Sequence, residues 1–127
     1  MNTLCREERL RGEKVISHLF NNGQTFFQTP YKVFWVKISE TGTFPARFAV
    51  SVPRRRFKRA VKRNLLKRRT REVFRTNKQI LHDAVSDGEQ IHMVVIYSSD
   101  IPLPTTDLDA AMKKILHRIA RQHVEST

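Results

Sequence analysis

The chain has 127 residues, with 24 Lys and Arg against 12 Asp and Glu, a formal net charge of +12. Its 39% hydrophobic content exceeds that of a disordered basic tail and suits one folded domain over 1–127, while no apolar run approaches the roughly 20 residues that span a bilayer. Cys5 is the single cysteine, which excludes an internal disulfide and fits a reducing, cytoplasmic setting.

Residues 1–8 are polar and charged, lack the apolar core of a secretory signal, and read as a loose tail. From Gly12 to Asn22, the residues Val15, Ile16, Leu19 and Phe20 recur at helical spacing, and Gly23 stands where a helix would stop. Thr25–Ser39 is aromatic and β-branched and forms one strand or two. Its Tyr31, Val33 and Trp35 alternate with Lys32, Phe34, Val36 and Ile38. Thr41-Gly42-Thr43 reads as a hairpin turn into a further strand, Phe44–Val52, with Phe44, Ala46, Phe48, Val50 and Val52 on one face.

Pro53 ends that strand because it has no ladder N–H to donate. The absence of Gly and Pro from Lys58 to Gly88 predicts one long helix over about Arg59–Val85, closed by a turn at Ser86-Asp87-Gly88. Gln90–Tyr97 is nearly all apolar, as in a central strand covered on both faces. After Pro102 and Pro104 comes a helix over about Thr106–His123, fraying into a loose tail over 122–127. Thr105 or Thr106 would cap it, Asp107 and Asp109 suit its dipole, and Leu108, Ala111, Met112, Ile115, Leu116 and Ile119 form its apolar stripe. The order α-β-β-α-β-α makes a two-layer α+β sandwich with a small sheet.

Charge is concentrated in one element. Arg54–Lys78 holds thirteen basic residues in 25 positions against Glu72 alone, a balance of +12 that equals the whole molecule's. An imbalance confined to one surface points to a polyanionic partner, first of all nucleic acid. At 100° per residue, Asn64, Lys67, Arg68, Arg71, Arg75 and Lys78 share one stripe. Leu66, Val73, Ile80 and Ala84 lie opposite, with Leu65 at the margin. A merely solvated face would alternate Glu with Lys. Here Arg63/Lys67/Arg71 and Arg68/Arg71/Arg75 stack like charges, at about 0.2–0.5 kcal/mol per pair, for which an absent polyanion is the simplest compensation. Arg predominates, which suits bidentate phosphate contact and base stacking. The candidate nucleic-acid-binding residues are Arg54, Arg55, Arg59, Arg63, Asn64, Lys67, Arg68, Arg71 and Arg75. Charge alone allows RNA or DNA, and a nuclear-localisation reading leaves the helical stripe unexplained.

A protein-based nuclease needs convergent carboxylates or histidines. The acids are scattered, and His18, His82, His92, His117 and His123 lack ligand spacing. His92 reads as a hydrogen-bonded core residue. With four glycines there is no phosphate-cradling loop. No catalytic residue and no metal site are expected.

The segment Ala60–Phe74 resembles the Arg-Asn-Arg motif of the bacterial ribonuclease P protein subunit, a pattern that runs Arg-Asn-Arg-apolar-Lys-Arg-x-x-Arg, then an acidic or amide residue and an aromatic. Arg63, Asn64, Leu66, Lys67, Arg68, Arg71, Glu72 and Phe74 match, and Leu65 replaces the motif's second Arg. Ala49–Arg55 is similar to that family's strand and basic pair. Arg9-Leu10, Ile16, Leu19-Phe20 and Gly23 are similar to its first helix, with Ile16 in place of a Phe. The likeness covers about residues 9–120.

The resemblance implies an α-β-β-β-α-β-α fold with a left-handed β-α-β crossover. It also implies the cofactor protein of a ribozyme that removes the 5′ leader of precursor tRNA. The protein would hold no cofactor, and Mg²⁺ would be held by RNA. Its partners would be ribonuclease P RNA and precursor tRNA, with no DNA and no membrane. Arg63, Asn64, Lys67, Arg68 and Arg71 would lie against the catalytic RNA, and a cleft at Ile16, Phe20, Lys32 and Phe34 would take the single-stranded leader. Aromatics beside a cation suit unpaired bases, yet the same residues at strand and helix spacing suit a core. A ribosomal-type RNA-binding protein shares the composition, and the Arg63-Asn64, Lys67-Arg68, Arg71 spacing favours the ribonuclease P reading.

Overall fold

Aromatic residues that alternate along a strand need two different environments, and the sheet supplies them. The computed structural model describes residues 9–10, 12–39, 45–85 and 88–125. Helix α1 (Glu13–Asn22) is followed by strands β1 (Gln24–Gln28), β2 (Tyr31–Ile38) and β3 (Ala46–Ser51). Helices α2 (Ala60–Asn77) and α3 (Gln79–His82), strand β4 (Gln90–Tyr97) and helix α4 (Thr105–Glu125) complete the order. This is the α-β-β-β-α-β-α arrangement, with α3 as one extra turn. The aromatic segment is two strands, joined across Thr29-Pro30.

The sheet order is β1-β2-β4-β3. β2 pairs antiparallel with β1 and β4, and β3 pairs parallel with β4. The predicted hairpin between β2 and β3 is therefore corrected: β4 lies between them. Turn signals are local and cannot register a buried strand some fifty residues further on. Thr41-Gly42-Thr43 and Phe44 themselves lie outside the described residues, as do residues 1–8, Ser86 and Asp87.

The odd-numbered β2 residues Tyr31, Val33 and Trp35 are almost fully buried with Phe48, Met93 and Val95 against Leu66, Val73 and Phe74 of α2 and the stripe of α4. Phe48 and Phe74 stack with ring centroids 4.1 Å apart. The Tyr31 hydroxyl bonds Thr70 Oγ1 at 2.7 Å, and burial pushes its phenol well above the ordinary value. On the other sheet face, Leu10, Leu19 and Val94 form a smaller buried cluster on which α1 rests. The sheet with α2 and α4 makes the two principal layers, and α1 covers part of the open side.

Gly23 does end α1, though not by a left-handed turn, since its φ is −81°. A Cβ there would sit 2.5 Å from the Leu19 carbonyl and 2.8 Å from that of Trp35. Glycine is needed for the close approach of α1 to β2.

The single helix predicted over Arg59–Val85 is two. At Lys78 the path tightens, with the Leu81 N–H reaching the Lys78 carbonyl at 3.0 Å. The Asn77 carboxamide anchors this end, donating to the Val73 carbonyl and to Asp109 Oδ1 of α4, each at 2.7 Å. Lys78 is consequently 9% exposed and does not belong to the cationic stripe, where its angle had placed it. Helix α4 begins at Thr105, and the Pro104 carbonyl accepts from the Asp107 and Leu108 N–H groups. Thr105 and Thr106 are inside the helix instead of capping it. α4 continues to Glu125 with His123 buried, beyond the point where the pattern placed a tail.

Candidate nucleic-acid interface

The basic segment starts with a turn built by its own backbone. The Pro53 carbonyl accepts from the N–H groups of Arg56 (3.1 Å) and Phe57 (3.4 Å). Phe57 is buried beside the Tyr97 ring, so the turn is anchored and Arg54 and Arg55 are left exposed. Arg56 is engaged by Asp100 at 3.0 Å. Arg63 Nη1 donates to the carbonyls of Phe57 (2.9 Å) and Lys58 (2.7 Å), tying the helix to the turn before it.

Along α2 the guanidinium groups divide into two sets. Arg69 donates to the Leu103 carbonyl at 3.1 Å. Arg75 grips Glu72 through both carboxylate oxygens, with Nε to Oε2 at 2.9 Å, and holds that carboxyl below its ordinary range. Arg59, Asn64, Arg68 and Arg71 are exposed, and Lys67 is half-buried. Among the described residues no carboxylate pairs with Lys67, Arg68 or Arg71. Leu65 is half-buried and lines a shallow depression of about 300 Å³ with Arg68, Arg69, Glu72 and Thr105.

The second surface lies on the open sheet face. Phe20 of α1 and Phe34 of β2 meet edge to face at 4.8 Å, and Lys32 Nζ stands 5.3 Å from the Phe34 ring centroid. Ile16 packs into the same cluster as Phe34. The four cleft residues are thus together, with Phe20 44% exposed. Sequence reasoning missed Phe27, which is 54% exposed and paired with Lys32 across the β1–β2 ladder. Adjacent Phe26 and Phe27 must point to opposite faces, but only the strand register says which one is outward. A second depression, of about 460 Å³, is lined by Lys14, Val15, His18, Ile38, Ser39 and His92. His92 is buried and bonds Gln90 Oε1 at 2.8 Å.

Among the described residues no group of three His, Cys, Asp or Glu is arranged to hold a metal, and no helix is long and apolar enough to cross a membrane.

The ribonuclease P family model matches residues 4–120. The ribonuclease P protein component of Porphyromonas gingivalis is 37% identical over 120 residues, covering 92% of this chain and 86% of the relative. That of Chlorobium phaeobacteroides is 34% identical over 93 residues, covering 69% and 62%. The solved ribonuclease P protein of Thermotoga maritima superposes with a TM-score of 0.69 at 25% identity, covering 87% of this chain and 96% of that one. The Staphylococcus aureus protein gives 0.68 at 19% identity over 90% and 95%, a likeness of fold alone. The fold, the motif along α2 and matches over nearly the whole length agree, and the chain belongs to the ribonuclease P protein component family.

Proposed function

We propose that the chain is the protein subunit of a ribonuclease P holoenzyme, binding the catalytic RNA through α2 and the 5′ leader of precursor tRNA through the α1–β2 cleft. The observation that carries this is the exposed cationic stripe of α2, where Lys67, Arg68 and Arg71 have no carboxylate partner among the described residues. Docking on RNA releases condensed counterions and relieves the repulsion along the helix. Arg54, Arg55, Arg59 and Asn64 extend that surface, Arg63 shapes it, and Arg75 adds to it from its pair with Glu72.

Under this reading Phe20 and Phe34 stack on unpaired leader bases, with Lys32 near a phosphate and Ile16 behind. Hydrolysis belongs to the RNA subunit, which holds Mg²⁺, and the protein side chains bind and orient. Precursor tRNA and ribonuclease P RNA are the partners, in the cytoplasm, with no DNA and no membrane. The test adds purified protein to a bacterial ribonuclease P RNA and precursor tRNA at low Mg²⁺. Leader cleavage should rise. RNA binding with no rise would overturn the subunit role and leave a non-catalytic module of the ribosomal type.

A further inference from the structure

We propose that Phe27 is an additional base-stacking platform that lengthens the leader cleft by one nucleotide, an inference that rests on the leader reading above. The ladder places Phe27 opposite Lys32, and Thr25 opposite Phe34. Directly paired side chains on one face are about 5 Å apart at Cβ and diagonal ones about 7–8 Å, so Phe27 flanks Lys32 and is diagonal to Phe34. Lys32 Nζ stands 5.3 Å from the Phe34 ring centroid, so the residue paired with Phe27 carries its cation against the neighbouring ring.

Among the described residues Phe27 belongs to neither buried hydrophobic cluster. The residue is 54% exposed, and the neighbouring Phe26 packs on the far side, 7% exposed beneath the Arg118 guanidinium. Phe27 lies on the edge strand β1 and, with Phe20, is one of the two exposed phenylalanines among the described residues. The register also gives the occupant's chemistry. No strand residue on this face is acidic, whereas Lys32 and Arg47 are basic. Flat apolar rings interleaved with positive charge suit unpaired nucleotides, because every base has a face to stack and a phosphate to neutralise.

The experiment uses holoenzyme reconstituted with a bacterial ribonuclease P RNA and precursor tRNAs whose leaders grow one nucleotide at a time. Phe27→Ala should weaken binding on the order of tenfold once the leader reaches the platform, and leave shorter leaders and mature tRNA unchanged. An abasic residue at one leader position should erase the difference, and Phe27→Trp should keep wild-type affinity. Equal weakening for every leader, or no weakening while wild type still gains affinity with leader length, would overturn the role of Phe27 alone. A wild-type holoenzyme indifferent to leader length would overturn the leader reading itself. Sedimentation of the protein alone separates the other occupant: a dimer lost in Phe27→Ala would assign the patch to a second copy and overturn the proposal.

Discussion

Two of the five N–H groups of Arg63 are engaged by the carbonyls of Phe57 and Lys58, so this guanidinium is first a strut and only then a cation. Residue identity in the motif does not reveal this, because spacing assigns a side chain to a face and says nothing of which donors are already occupied. In the free protein, Arg63→Ala should lower stability by about 1–2 kcal/mol through loss of the two charge-assisted bonds. Arg68→Ala, which breaks no such bond, should leave stability unchanged or slightly raised as like-charge repulsion falls. Thermal or denaturant unfolding of the two variants checks this, and equal effects would mean that the strut holds nothing.

At the scale of elements, the joint between α2 and α4 rests on Asp109, whose Oδ1 accepts from Asn77 and whose Oδ2 pairs with Lys113 at 3.0 Å. The Asn77 bond first, and Lys113 after it, hold this carboxyl below its ordinary 3.8. A pKa depressed by folding means that the contact stabilises above the unfolded value and that this contribution is lost as the pH falls through the folded one. Asn77→Ala should therefore cost more stability at about pH 6 than at about pH 2.5, as denaturant midpoints at the two pH values would report. The same joint marks the limit of what the pattern reveals. Helix α1 and the stripe of α4 were legible because each has a period that one element satisfies by itself, and β4 because a short, nearly unbroken apolar run suits a strand covered on both faces. The interruption at Lys78 was not, since Asn77 finds its partner on another helix. Nor was the insertion of β4 between β2 and β3. Within the site, the stripe emerged from angle and the cleft from family likeness. Phe27 stayed hidden because β1 is five residues long and its outward side follows only from pairing with β2.

For the molecule as a whole, the decisive arrangement is that α2 packs on one face of the sheet while α1 and the cleft occupy the other. The stripe points away from the sheet, about one helix diameter (10–12 Å) beyond it, which exceeds the roughly 8 Å Debye length of physiological salt. The two surfaces should act independently. Replacing Lys67, Arg68 and Arg71 together by Ala should reduce the slope of log K against log salt by about 2. Phe34→Ala should lower affinity for leader-bearing substrate alone and leave that slope as it was. Combined, the changes should add. Binding isotherms over a salt series check all three, and a Phe34→Ala variant with an altered slope would join what the sheet holds apart.

The sheet is then a partition between two kinds of control. Under the proposed function, a change in ionic strength should loosen the grip on the large RNA without altering which leaders are preferred. By the same reading, a change of aromatic residues in the cleft should alter preference without altering the grip. Substrate range in such a protein can drift through substitutions on one side while assembly of the particle stays intact on the other.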